Sequence, residues 1–158
     1  MAVTVKRISL WRCEVPNEPG ALARTLEPLA AARASLRVVM GYRFPEHQER
    51  AAIEVYPITG ARATAAAQSA GLAASDMPCL LVEGDDRPGL GARIGRALAD
   101  GGINVAFLIA QVVGRRFSAV VGFGDGAAAD AASRLIKAAC KEPPKPRRKP
   151  ARKPTRRR

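Results

Sequence analysis

The feature that most constrains this chain is a Pro-Gly pair used twice in matching surroundings: Val15-Pro16-Asn17-Glu18-Pro19-Gly20-Ala21-Leu22 and Gly84-Asp85-Asp86-Arg87-Pro88-Gly89-Leu90-Gly91. The pairs lie 69 positions apart. Each follows an apolar, strand-like run and opens a run with helical spacing, so the 158 residues read as one small module used twice rather than one larger domain. A helix entered through Pro and Gly presents unpaired backbone N–H groups and the positive end of its dipole, which favours a carboxylate or another anion. That is a binding site more readily than a catalytic one.

The apolar periodicity fills in the rest. Val3 to Glu14 reads as a strand, followed by a helix from Pro19 to about Ala34 with Leu22, Leu26 and Leu29 on one face and Pro28 weakening one turn. Leu36 to Phe44 and Ala51 to Ile58 are strands joined by the polar turn Pro45 to Arg50, and the Ala-rich stretch Ala61 to Ala73 is a helix by propensity. The second unit repeats the order. Cys79 to Glu83 is a strand, Pro88 to Ala99 a helix ended by Gly101-Gly102, Ile103 to Val113 and Phe117 to Phe123 strands turning at Gly114-Arg115, and Ala127 to Ala139 a helix. Leu72 to Glu83 can close the first unit and open the second in one extended stretch. A sheet with both helices on one face hides the apolar sides of such a β-α-β-β-α order.

Charge is distributed unevenly. Of the formal +12, the segment Lys141 to Arg158 supplies +9, with ten Lys and Arg against the single acid Glu142, five prolines and no large apolar residue. Such a segment cannot bury enough surface to offset the entropy of ordering, so it is expected to stay extended and disordered. It can neutralise phosphates but, lacking aromatic residues, cannot stack bases. A non-specific nucleic-acid or acidic-protein contact and a purely solubilising role both remain open for it.

Cys13, Cys79 and Cys140 are widely spaced and odd in number, a pattern that suits buried thiols in a reducing cytosol. No apolar stretch has signal-peptide or membrane-spanning length, so a cytoplasmic location is expected. Gly89-x-Gly91-x-x-x-Gly95 lacks the acid that a dinucleotide fingerprint needs after its second strand, and Gly91 and Gly95 are better read as close helix packing. Asp85-Asp86 is better read as a helix cap than as a metal or acid/base pair. His47, the sole histidine, sits in a polar turn and cannot build a typical zinc site. No cofactor, metal site or catalytic group is expected.

Asp86-Arg87-Pro88-Gly89-Leu90, followed by Leu98-Ala99-Asp100-Gly101-Gly102-Ile103-Asn104-Val105, closely resembles the signature of ACT domains, the small ferredoxin-like regulatory modules of amino-acid metabolism. Asn17-Glu18-Pro19-Gly20-Ala21-Leu22 resembles it more loosely. The resemblance implies an α+β chain of two ferredoxin-like βαββα(β) units, residues 1–75 and 76–140, with antiparallel sheets and the basic tail 141–158 appended. It further implies sheets paired side by side, within the chain or between two chains of a homodimer, and a small amino-acid-type ligand at that interface. Carried over residue by residue, the ligand contacts are Asp86, Arg87, Pro88, Gly89, Leu90 and Asn104. Asn17, Pro19, Gly20 and Leu22 form a weaker counterpart, because the first unit lacks the Asp-Arg and the Ile-Asn. With no separate catalytic domain, the expected role is a non-enzymatic sensor acting on a partner in trans. The alternative is a dimerising scaffold whose tail holds nucleic acid or an acidic protein.

Overall fold

The computed structural model describes residues 3–141. The basic segment beyond Lys141 lies outside the described residues, and so do the expectations placed on it. Eight strands and four helices follow in the order β1 (Thr4–Ile8), β2 (Trp11–Pro16), α1 (Ala21–Ala31), β3 (Val38–Arg43), β4 (Arg50–Tyr56), α2 (Ala61–Ser69), β5 (Ala73–Ala74), β6 (Cys79–Asp85), α3 (Leu90–Asp100), β7 (Phe107–Val113), β8 (Arg116–Gly122) and α4 (Gly126–Cys140). The fold is α+β, as the periodicity and the resemblance both indicate.

The strands form two antiparallel sheets, ordered β3-β4-β2-β5 and β1-β6-β8-β7. The stretch from Val3 to Glu14, which reads as one strand, is two. Thr4 to Ile8 pairs with β6, from Thr4 opposite Glu83 to Ile8 opposite Cys79, whereas Trp11 to Pro16 pairs with β4. The break falls at Ser9-Leu10, where Ile8 and Leu10 both sink into the same apolar cluster. The sheet of the first half is completed by the two-residue β5, and that of the second half by the chain's first strand.

Period-2 alternation decides which side of each sheet faces what. In β6, Leu80 and Val82 face α3 and α4 together with Leu90, Leu98, Ala132 and Ile136. Cys79 and Leu81, one step out of phase, face the other sheet and meet Met40, Val38 and Tyr56. A third cluster of Cys13, Leu29, Ile53, Val55, Ala67 and Leu72 lies under α1 and α2. Each sheet therefore carries both its helices on one face, and the two helix-free faces pack together. Among the described residues no strand of one sheet hydrogen-bonds to the other. Of the two side-by-side arrangements that the resemblance implies, the one within the chain is thus not seen among the described residues, because burying two apolar sheet faces removes more surface from water than joining two edges.

Two helices stop earlier than their periodicity suggests. α1 ends at Ala31, with the Ala32 amide closing on the Pro28 carbonyl at 3.0 Å. α2 ends at Ser69, and Gly71 turns the chain with a φ of 79°.

Candidate functional site

The second Pro-Gly loop leaves β6 at Asp85 and enters α3 through Gly89, which adopts a left-handed conformation with φ 79° and ψ 1°. No side chain caps α3 and no acidic residue stands in its first turn. Asp86 therefore does not cap the helix, contrary to the sequence expectation. Its backbone instead pairs with the β7–β8 turn, Asp86 N–H donating to the Arg115 carbonyl at 2.8 Å, which places it at the end of the sheet and leaves its carboxylate exposed. The opening amides of α3 keep their electrostatic pull on an anion.

Beside this loop lies a groove of about 430 Å³ between α3 and the edge strand β7. Its origin is visible in the register. Leu108, Ala110 and Val112 stand opposite Val121, Ala119 and Phe117, so they share the helix-covered face of the sheet. Yet Leu108 is 59% and Val112 54% exposed, because the helix above them carries Gly91 and Gly95. A Cβ added at either glycine would meet nothing within 4 Å. The close-packing expectation for these glycines is thus overturned among the described residues: their missing side chains leave a groove open rather than seat a neighbour.

Of the six residues expected to contact a ligand, the structure brings Asp86, Leu90 and Asn104 to this groove and leaves Arg87, Pro88 and Gly89 outside its lining. Arg87 reaches away, its Nη2 donating to the Cys140 carbonyl at 2.8 Å at the C-terminal end of α4. Asp86 and Leu90 mark the N-terminal end of α3, whereas Asn104 follows its C-terminus. Leu90 and Leu98, eight residues apart on the helix, are about 12 Å apart along its axis, so one free amino acid reaches one end of the groove and not both. Gly91, Ile94, Gly95, Leu108 and Gln111 are among the other residues of the lining. Sequence reasoning missed these as site residues; the signal that could have found them was two glycines on one helical face opposite an apolar edge strand.

The first half has an equivalent but smaller hollow of about 250 Å³, lined by Asn17, Glu18, Leu22, Tyr42 and Arg43 among others. Asn17 and Leu22 of the weaker candidates line it; Pro19 and Gly20 do not, and Gly20 serves as the left-handed entry to α1 with φ 90°. Asn17 is committed at both ends, its amide N–H to the Glu49 carbonyl at 2.8 Å and its Nδ2 to the Gln48 carbonyl at 2.7 Å. Arg24 pairs with Glu18 at the entry to α1. Asn17 thus holds the β3–β4 loop rather than offering itself to a ligand.

Burial is the main influence raising the thiols of Cys13, Cys79 and Cys140, and it lifts Cys79 to about 11 with nearby Glu54 adding to it, so all three are weak nucleophiles at neutral pH. His47 is exposed beside Glu49 at 3.7 Å. Among the described residues no three His, Cys, Asp or Glu side chains gather as a metal site, and no helix is long and apolar enough to cross a membrane.

No protein-family model matches the chain, and no curated protein matches it. Solved structures do. The regulatory subunit of aspartate kinase from Thermus thermophilus, in its ligand-free form, superimposes with a TM-score of 0.60 at 19% identity, covering 89% of this chain and 99% of that one. The corresponding subunit from Thermus flavus gives 0.57 at 18% identity over 89% and 98%. Protein BT0572 from Bacteroides thetaiotaomicron gives 0.68 at 14% identity over 85% and 89%. The fold is that of a tandem ACT module. At these identities the likeness establishes architecture; the site rests on this chain's own residues.

Proposed function

We propose that this chain is a non-enzymatic regulatory module that binds a small amino-acid-type ligand at the second Pro-Gly loop and transmits its occupancy to a partner in trans. The observation that carries this reading is the junction of opposite polarities at one end of one groove: the uncapped start of α3 beside the exposed Asp86 carboxylate. A zwitterion matches that pair, with its carboxylate toward the helix amides and its ammonium toward Asp86. The aspartate kinase regulatory subunits that share the fold support a regulatory role over a catalytic one.

The ACT–ACT interface belongs between two chains on this reading. Among the described residues β7 is an edge strand with no partner strand on its outer side, and Leu108, Ile109, Val112 and Val113 along it are exposed. A row of free N–H and C=O groups flanked by large apolar side chains favours pairing with a second copy. Ligand binding then biases an equilibrium between interface arrangements, with a coupling of roughly 1–3 kcal/mol.

Thermal-shift and calorimetric titration of the full chain with each common amino acid at millimolar concentration tests the proposal. A saturable rise in melting temperature with at least one of them is expected. A flat response to all of them removes the sensor reading.

A further inference from the structure

The groove beside α3 has a selectivity written into its lining. Among the described residues that form it, Asp86 alone is ionisable, and it stands at one end. The floor and walls are Leu90, Ile94, Leu98, Leu108, Ala110 and Val112, with Gly91 and Gly95 leaving the space above them empty. Its volume of about 430 Å³ lies within the range of small-molecule sites. Resting on the sensor reading, we infer that the groove takes the side chain of a large apolar amino acid, branched or aromatic, whose ammonium is held at Asp86.

The exclusion of other side chains follows from what the groove lacks. A side-chain carboxylate, as in aspartate or glutamate, would meet no cation along the lining. A lysine side chain would carry its charge away from Asp86 along Ile94 and Leu108 and find no second acid there. Asn104 and Gln111 in the lining offer amides but no charge, so a charged side chain stays without a counter-ion in a mostly apolar groove, which weakens binding by about tenfold against an apolar side chain of similar length. Asparagine and threonine lose less but also fail to fill the space.

A second copy of the chain is the competing occupant. Among the described residues the outer edge of β7 has no partner strand, and a copy paired there would use that backbone with Ile109 and Val113, which face away from α3, whereas Leu108 and Val112 face the groove. The oligomeric state of a groove-filling variant separates the two occupants.

Two variants test the assignment in the full chain, alongside sedimentation to follow oligomeric state. Gly95→Leu places a side chain directly into the empty space without a clash at Cβ and replaces a helix-weakening residue, so its ligand-free melting temperature rises by about 2 °C, which certifies folding. Asp86→Asn removes the counter-charge and keeps the shape. Leucine and phenylalanine are expected to bind the parent chain at least tenfold tighter than asparagine, aspartate and lysine, to lose detectable binding to Gly95→Leu, and to bind Asp86→Asn about tenfold more weakly. Equal or tighter binding of a polar or charged amino acid, or undiminished binding to Gly95→Leu, overturns the groove assignment while leaving the sensor reading in place; undiminished binding to Asp86→Asn overturns it and removes the Asp86 contact from the sensor reading as well. Loss of a dimer in Gly95→Leu with leucine binding intact assigns the groove to a contact between chains and likewise overturns it. Silence from every amino acid removes both readings together.

Discussion

Substituting Gly122 by Ala probes whether the helix-free faces of the two sheets really meet. Gly122 lies in the inner strand β8 opposite Phe107 of β7. A Cβ at this position would come within 2.5 Å of Phe107 Cδ1, closer still to Cε1, and within 3.0 Å of Met77 Sδ. Carbon atoms in contact sit about 3.5–4.0 Å apart, so the ring must retreat by about 1 Å or more. Phe107 packs on the cluster formed by Ile8, Leu10, Met40, Cys79, Leu81 and Val120, and that cluster is the seam between the sheets. Overpacking of this kind costs about 1–3 kcal/mol, and the lower entropy of the unfolded chain on replacing Gly by Ala returns about 0.4–1 kcal/mol. The net expectation is a loss of about 1–2 kcal/mol, or about 3–6 °C in melting temperature for a chain of this size. Gly41→Ala makes the same chemical change in strand β3, where a new Cβ meets nothing within 4 Å, and should leave stability unchanged or slightly higher. Phe107→Leu combined with Gly122→Ala should lose less than the two single variants together, by at least about 1 kcal/mol. Differential scanning calorimetry of the four variants decides the matter. A Gly122→Ala chain as stable as the parent, or strictly additive losses in the double variant, would show that the ring does not lie over Gly122.

The remaining expectations concern the buried polar groups and the loop. Cys79 is neutral and fully buried, with its folded pKa near 11 against 9.0 for the unfolded thiol, so the folded state holds its proton more tightly. That contribution is complete below pH 9 and is lost as pH rises toward 11, amounting to roughly 2–3 kcal/mol; melting curves across this range should fall, and Cys79→Ala should flatten part of the fall. At pH 8 a thiol reagent should label none of the three cysteines until the chain is unfolded. Glu54 is buried between the sheets, accepting from the Tyr42 hydroxyl at 2.8 Å, while Arg12 Nε lies 3.3 Å away without forming a hydrogen bond. Tyr42→Phe should cost about 1–2 kcal/mol in urea denaturation, and Glu54→Leu a similar amount because it removes the acceptor of the Tyr42 hydroxyl and leaves Arg12 with Glu14, at 3.0 Å, as its carboxylate. Arg87→Ala should speed amide exchange at the last turn of α4 by releasing the Cys140 carbonyl, with little change elsewhere; unchanged exchange there would mean that this contact does not hold the helix end.

The sequence by itself determined the repeated unit, the order and type of nearly every element, and the loop that opens α3. Those features are local: a Pro-Gly entry, a 3.6-residue or 2-residue apolar period and a glycine stop are all written within about a dozen neighbouring residues. The Asp86-Arg87-Pro88-Gly89 stretch was recognisable for the same reason. What the side chains of that stretch do was not, because Arg87 answers to a carbonyl 53 positions away and the Asp86 backbone to the turn at Arg115.

Tertiary structure alone decided the rest. Nothing local in Val3 to Glu14 separates Thr4–Ile8 from the strand that starts at Trp11; only pairing across the chain splits them, the first joining the edge of one sheet beside β6 and the second lying between β4 and β5 in the other. In β6 almost every residue is buried, which gives a near-continuous apolar run silent about which face meets helices and which meets the other sheet. Gly91 and Gly95 have the spacing of a packing stripe, and whether such a stripe seats a neighbour or leaves a groove depends on how α3 lies over β7. Local chemistry fixes what a segment can become, and the burial of one element against another, chosen from the whole chain, fixes which of its side chains remain available for a ligand.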